Sequence, residues 1–90
     1  MTGINGVKYK LMPESPDVDL KEIEEAAKKI VEDFGGKNKD YSIEDIAFGL
    51  KAVIVFFFYS DDKNIDVMEE LLSKIPQVAS VQLIDMRKIA

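Results

Sequence analysis

Few side chains in this sequence are able to do chemistry, because it contains no cysteine and no histidine. That excludes disulfides, thiolate nucleophiles, Cys/His zinc sites and histidine acid–base catalysis. Glu14, Asp17 and Asp19 carry carboxylates, but their spacing does not match a calcium loop, which needs ligands at fixed offsets and a closing Glu. We therefore predict no metal site and no cofactor, and we assign this segment to helix entry and capping.

Arg87 and Lys88 are the basic residues nearest the C-terminus. A solvated charged end is the ordinary interpretation, and for most proteins it holds. The alternative is a lysine that reaches into an anion or metal site of another protein. Its ammonium group is a compact point charge, suited to competing with Mg²⁺ for phosphate or carboxylate oxygens.

Phe48 and Gly49 lie just before the most apolar run of the chain, Ala52 to Tyr59. They fall where one predicted strand ends and the next begins, and Gly lets the backbone turn there. The Phe48 ring either closes the core or is exposed as an anchor for another protein. The residues alone leave both interpretations open. Gly49 is expected to serve the turn, because one isolated Gly does not make a phosphate loop.

The aromatic run Phe56 to Tyr59 raises an RNA-binding alternative. RNA-recognition domains stack bases on aromatic rings of two central strands, and Tyr9 together with part of this run resembles that arrangement. Strand alternation, however, requires one set of these rings to face inward. The acidic net charge and the poor match to basic RNA-binding patterns also count against RNA. Core packing is the better account of most of the run.

Composition limits the class of protein further. The 90 residues suit one domain, 1–90, with a formal net charge of −5. Such a charge argues against non-specific nucleic-acid binding, which depends on neutralising phosphates with Lys and Arg. No apolar segment approaches the roughly 20 residues of a membrane-spanning helix, and the N-terminus lacks a signal pattern. We expect a cytoplasmic protein.

Apolar residues at helical spacing predict two helices. Asp19 begins the first in a pattern that resembles a capping box, and Gly35-Gly36 ends it. Pro76 stops the second. The first stripe comprises Leu20, Ile23, Ala26, Ala27, Ile30, Val31 and Phe34, and the second comprises Ile65, Met68, Leu71, Leu72 and Ile75.

Four further segments are predicted to be strands, namely Val7 to Leu11, Lys39 to Ile46, Leu50 to Tyr59 and Val78 to Met86. The second is polar and suits an edge of the sheet. The third is apolar on both faces and should be central. In the fourth, Val81 and Leu83 are expected to point inward.

The predicted order β-α-β-β-α-β in so short a chain favours an α+β fold, the ferredoxin-like sandwich. Two helices would cover one face of a four-stranded antiparallel sheet, with the first and third strands in the centre. Because this fold supports many unrelated functions, function must be inferred from sites.

With these segments placed, the chain resembles the guanine nucleotide exchange domain of translation elongation factor 1-beta, in its short archaeal form. Two motifs carry the resemblance over nearly the whole chain, Met12 to Leu20 and Ile46 to Ala52. Asp85 to Lys88 adds weaker support. The resemblance implies a ferredoxin-like fold and a partner, the GTPase elongation factor 1-alpha, in its GDP-bound and nucleotide-free states.

The resemblance also implies an activity without bond chemistry, the release of GDP so that GTP rebinds and the form that binds aminoacyl-tRNA is regenerated. Lys88 matches a family lysine that enters the Mg²⁺ region of the GTPase, and Phe48 matches a phenylalanine whose contact is important for activity. Gly49, Lys51 and Arg87 are expected to bind the partner beside them. No direct contact with nucleic acid or membrane is expected.

The predicted topology places Phe48 and Lys88 at opposite ends of the sheet, roughly 25 Å apart for strands of about eight residues. The GTPase would then be contacted in two separate regions. Two alternatives remain at this stage, an RNA-binding module and a small-molecule regulatory or acylphosphatase-like protein. The acylphosphatase-like alternative requires an anion-binding Arg near the first loop, whereas the sole Arg of the sequence is Arg87.

Overall fold

The computed structural model describes residues 3–90, which form a four-stranded sheet and two helices in the predicted order. The elements are β1 (Ile4–Pro13), α1 (Leu20–Phe34), β2 (Lys37–Ala47), β3 (Leu50–Ser60), α2 (Asp66–Ser73) and β4 (Val78–Lys88). The strands β1 to β4 are ten or eleven residues long, so the sheet is longer than the sequence predicted.

Helix α1 begins and ends at the predicted residues. The Asp19 carboxylate accepts a hydrogen bond from the Lys21 backbone N–H at 3.0 Å, which satisfies a donor that the first helical turn leaves unpaired. At the other end Gly35 has φ 94°, the left-handed conformation that glycine adopts without steric cost. Its N–H donates to the Glu32 carbonyl oxygen, and the chain turns directly into β2.

The strand order across the sheet is β2-β3-β1-β4. Strand β1 pairs antiparallel with both β3 and β4, so β3 and β4 run in the same direction. The polar β2 lies at an edge and the apolar β3 lies in the centre, as predicted. This is the ferredoxin-like α+β fold that the segment order indicated.

Strand alternation divides the long apolar run between two environments. Val53, Val55 and Phe57 are fully buried beneath the helices, together with Tyr9, whose ring stacks on Phe57 at 6.2 Å between centroids. The intervening side chains of β3 are half-buried on the face that carries no helix. The apolar character of β3 therefore reflects one tightly packed face and one partly covered face.

Leu83 pairs with the buried Tyr9 and so lies on the helix-covered face, but 44% of it is exposed, so the expectation that it belongs to the core is wrong. Val81 is half-buried and packs against the core, as expected. Strand β4 lies at an edge of the sheet, where the two helices cover its inward side chains only in part.

Candidate partner-binding sites at the two ends of the sheet

The turn between β2 and β3 consists of Phe48 and Gly49, since Ala47 pairs with Leu50 on either side of it. Both turn residues have positive φ, 53° for Phe48 and 80° for Gly49. Two-residue hairpins of this class need that geometry to follow the twist of the strands, and Asn-Gly is their usual sequence. Phenylalanine is an unfavourable choice at the first position, because a bulky side chain is crowded at positive φ.

The Phe48 side chain is completely exposed to solvent. The alternative that its ring closes the core is therefore excluded. Its backbone is strained and its ring is unpacked, so neither folding nor solubility accounts for a phenylalanine here. Strained, exposed positions of this kind are characteristic of functional sites.

A cleft of about 230 Å³ lies beside this turn, and it brings the two sequence motifs together. Its lining residues are Pro13, Ser15, Pro16, Leu20, Gly49 and Lys51. The ammonium group of Lys51 is 3.9 Å from the Asp45 carboxylate, and both side chains are largely exposed. Exposed pairs at that distance contribute little to stability. The pair with Asp45 therefore does not hold the Lys51 ammonium group firmly in place.

The opposite end of the sheet contains Lys88. Its Nζ donates a hydrogen bond of 3.0 Å to Oδ2 of Asp61, in the loop that follows β3. The other carboxylate oxygen, Oδ1, accepts a hydrogen bond from Nδ2 of Asn5. These two hydrogen bonds lower the pKa of the Asp61 carboxyl below its ordinary value, the Lys88 contribution being the larger.

The backbone at this end is fixed separately. Ile4 N–H donates to the Ala90 carbonyl oxygen at 2.8 Å, and Ile89 N–H donates to the Ile4 carbonyl oxygen at 2.8 Å. Asp61 N–H donates to the Gly3 carbonyl oxygen at 2.9 Å. Two segments, the end of β4 and the loop after β3, are therefore tied to the start of β1.

Arg87 and Lys88 do not act as a pair in the structure. In the register of β1, Arg87 lies opposite Gly6 and Lys88 opposite Asn5, so their side chains project from opposite faces of the sheet. The Arg87 guanidinium contacts the Asp85 carboxylate at 3.0 Å on the face without helices. Any role of Arg87 is thus separate from that of Lys88.

The two ends are farther apart than the sequence suggested. Lys88 lies across Asn5 from Tyr59, and the nine residue steps of β3 from Leu50 to Tyr59 span about 30 Å. The molecule is 46 Å long. The longer strands account for the difference from the roughly 25 Å expected for strands of about eight residues.

The ring arrangement of RNA-recognition domains is not formed. Tyr9 lies in the core beneath the helices and not on the open face of the sheet. On that face the Lys8 ammonium lies 5.5 Å from the centre of the Phe56 ring, and the Lys39 ammonium lies 4.9 Å from that of Phe58. The two half-buried rings of this face therefore belong to one strand, and each is approached by a lysine.

Within residues 3–90, no three His, Cys, Asp or Glu side chains are placed to share a metal ion. No helix of the described chain has the length and apolarity to cross a membrane.

Sequence reasoning missed Asp61 and Asn5, which both lie outside the helices and strands that it predicted. Their proximity to Lys88 depends on strand topology. In the predicted fold the end of β3, the start of β1 and the end of β4 meet at the same end of the sheet. The predicted order of the segments was therefore enough to bring these residues together.

Fold and site geometry define a small ferredoxin-like domain with candidate protein-binding residues at both ends. Residues 6–89 match the EF-1 guanine nucleotide exchange domain. The chain belongs to that family, which confirms the resemblance carried by the motifs at residues 12–20 and 46–52.

Similar proteins named elongation factor 1-beta occur in several archaea. The one from Methanosarcina barkeri is 39% identical over 83 residues, covering 91% of this chain and 93% of the relative. The one from Archaeoglobus fulgidus is 40% identical over 81 residues, covering 89% and 91%. The one from Nanoarchaeum equitans is 37% identical over 71 residues, covering 79% and 84%.

Proposed function

We propose that residues 1–90 act as a single exchange domain that promotes GDP release from the GTPase elongation factor 1-alpha. GTP then rebinds, which regenerates the form that carries aminoacyl-tRNA. The observation that carries the proposal is the Phe48 ring, fully exposed on a strained turn within a motif of the exchange family. We place the activity in the cytoplasm, where translation supplies the partner.

Phe48 is the proposed anchor. A fully exposed aromatic ring contributes no packing to the free protein, so its burial by a partner is a net gain of apolar contact. An anchor of this kind contributes about 2 kcal/mol or more to binding. Gly49 permits the turn that projects the ring, and Lys51 adds a cation beside it.

Lys88 is the proposed probe of the Mg²⁺ and phosphate region of the GTPase. A GDP held by Mg²⁺ and phosphate-binding contacts loses affinity when the metal site is disturbed. The Lys88 side chain is 66% exposed and lies on a strand end whose backbone is fixed. It can therefore be presented to an anionic site while the sheet keeps its shape. Arg87 would bind the partner from the other face.

The proposed mechanism is a linkage between two ligands of one GTPase and forms no covalent bond. By linkage, the factor by which the exchange domain weakens GDP binding equals the factor by which GDP weakens domain binding. The domain must therefore bind the nucleotide-free GTPase more tightly than the GDP form. Phe48 supplies affinity for both forms, whereas Lys88 supplies the preference for the form without metal-bound GDP.

Release of a fluorescent GDP from purified elongation factor 1-alpha tests the proposal. Adding this protein with excess unlabelled GTP should raise the release rate in proportion to its concentration until saturation. Lys29→Ala is a suitable control variant, because it trims an exposed side chain in the middle of α1, whose two ends face the two ends of the sheet. Release at the unassisted rate with the native protein would contradict the proposal.

We further propose that the domain works without contacting nucleic acid, in keeping with its net charge of −5. The cation–π contacts of Lys8 and Lys39 hold these lysines over the open-face rings, where bases would have to stack. Filter binding of single-stranded RNA at moderate salt should show no retention. Saturable retention that is lost in Phe56→Ala would instead support an RNA-binding module.

A further inference from the structure

We propose that Asp61 is a positioning residue for Lys88, which must exchange the Asp61 carboxylate for an oxygen of the GTPase during nucleotide release. The inference rests on the proposed function, because it concerns the lysine assigned to the metal region. It assigns a role to a loop residue that is far from the partner-binding motifs in the sequence.

The Asp61 carboxylate occupies the position beside Lys88 that an anionic group of a partner would take. Oδ2 accepts from the Lys88 ammonium at 3.0 Å, while Oδ1 accepts from Asn5. Its own backbone N–H is hydrogen-bonded to Gly3. A Cβ added at Gly3 would lie 2.7 Å from Lys88 Nζ, so the ammonium sits closely against the start of β1. Asp61 thus holds the lysine with the kind of oxygen that a partner would offer.

The Asp61 contact is not needed to place the Lys88 backbone. Lys88 is paired with Asn5 in the sheet, and the residues after it are hydrogen-bonded to Ile4. Loss of the Asp61 carboxylate would leave that pairing intact. Its effect falls on the ammonium group alone, which gains freedom to leave the surface of its own domain.

The charges of Asp61 and Lys88 indicate that their pairing opposes entry of the lysine into an anionic site. An ammonium paired with a carboxylate is partly neutralised, and the carboxylate itself repels the phosphates that the lysine must approach. Both effects oppose entry into an anionic site. Because the pair is exposed, with 66% of the Lys88 side chain and 40% of the Asp61 side chain accessible, exchange of one partner for another is feasible.

The variant Asp61→Asn keeps the size of the side chain and removes its charge. In the fluorescent-GDP assay we expect the maximal release rate, the parameter assigned to Lys88, to rise about two- to five-fold, the range set by exposed ion pairs. Asp62→Asn is the matched control, because it removes the same charge from the next residue, which forms no ion pair within residues 3–90. It should behave like the native protein.

The double variant Asp61→Asn/Lys88→Ala shows whether the effect passes through the lysine. It should match Lys88→Ala alone, because the carboxylate has nothing left to position. An unchanged or lower maximal release rate in Asp61→Asn overturns the inference. An equal rise in the release rate when Asp61→Asn is added to Lys88→Ala also overturns it, because such a rise would show a general charge effect.

A spectroscopic measurement keeps this inference distinct from the proposed function. In the free protein, carbon NMR of the Asp61 carboxyl should show its titration midpoint rise in Lys88→Ala, because the larger of the two hydrogen bonds that lower the pKa is lost. An unchanged midpoint overturns the pairing even if exchange activity is present. Native protein without exchange activity contradicts the proposed function, and the proposed role of Asp61 falls with it.

Discussion

At the residue scale, Phe48 lowers the stability of the free domain and is proposed to raise its affinity for the partner. Its ring is exposed and its backbone is held at φ 53°, where a bulky residue is strained. Folding therefore gains nothing from the ring, and the turn would prefer another residue. A position that is unfavourable in the free protein and lies within the residues that match the exchange domain is best explained by a contact with another protein.

Phe48→Asn should stabilise the free domain by roughly 1 kcal/mol, because asparagine tolerates the left-handed conformation and Asn-Gly suits this hairpin. The same change should weaken binding to the GTPase, since the ring is lost. Urea unfolding followed by circular dichroism measures the first effect and a binding titration measures the second. A loss of stability would mean that the ring packs against the domain after all.

Tyr9 gives the domain a sensitivity to alkaline pH. Burial, with a smaller contribution from the Glu69 carboxylate, raises the pKa of Tyr9 from 10.0 to about 12. The unfolded chain therefore releases this proton at lower pH than the folded protein. The stabilising contribution is complete below pH 10 and is lost as the pH rises toward 12, at up to about 1.4 kcal/mol per pH unit.

Tyr9→Phe should reduce that alkaline loss of stability. The comparison is made by urea unfolding of both proteins at each pH between 9 and 12, so that lysine titration affects both equally. Native protein should lose more free energy of unfolding than the variant over this range. Parallel pH profiles would show that Tyr9 does not carry the effect.

At the element scale, the caps of α1 could be predicted from the sequence, because each depends on a residue next to the helix end. Asp19→Ala should destabilise the domain by about 1 kcal/mol, since it removes the acceptor for the Lys21 N–H. Asp17→Ala is the control, because that exposed carboxylate lies outside the helix. Thermal unfolding of the two variants should separate them, and equal midpoints would argue against capping.

Other features depended on how elements meet, and sequence reasoning reached them only in part. The edge and central positions of β2 and β3 followed from their polarity and were predicted correctly. The exposure of Leu83 was missed, because it depends on how much of the edge strand β4 the helices cover, which the spacing of apolar residues does not show. The exposure of Phe48 was left open, since composition does not distinguish a ring on a turn from a ring beneath one.

The same distinction applies to the candidate sites. Lys88 and Phe48 were found from residue type and motif, whereas Asp61 was found only in the structure. Asp61 and Lys88 are 27 positions apart in the chain, and only the pairing of β1 with both β3 and β4 brings them together. Contacts made through non-local pairing are those that a single sequence specifies least directly.

At the scale of the whole molecule, the sheet separates two sites by about 30 Å of rigid, hydrogen-bonded strand. Sites that far apart with no shared neighbours act independently. In GDP-release assays of Phe48→Ala, Lys88→Ala and the double variant, the losses in free energy of activation should therefore add to within about 0.5 kcal/mol. A marked departure from additivity would mean that the ends are coupled through the domain.

The separation supports the proposal that one end of the sheet supplies affinity for the GTPase and the other acts on its nucleotide site. Each end should then control a different kinetic parameter. Lys74→Ala is a matched control for the lysine variant, since Lys74 is exposed and makes an ion pair of 3.5 Å with Glu70 on α2. It should leave both parameters unchanged.

The most direct test is the rate of GDP release measured as a function of domain concentration for the native protein, Phe48→Ala and Lys88→Ala. We predict that Phe48→Ala raises the half-saturating concentration about 30-fold, the equivalent of about 2 kcal/mol, and keeps the maximal rate. Lys88→Ala should lower the maximal rate and change half-saturation little. Curves for both variants that superimpose on the native curve would contradict the account.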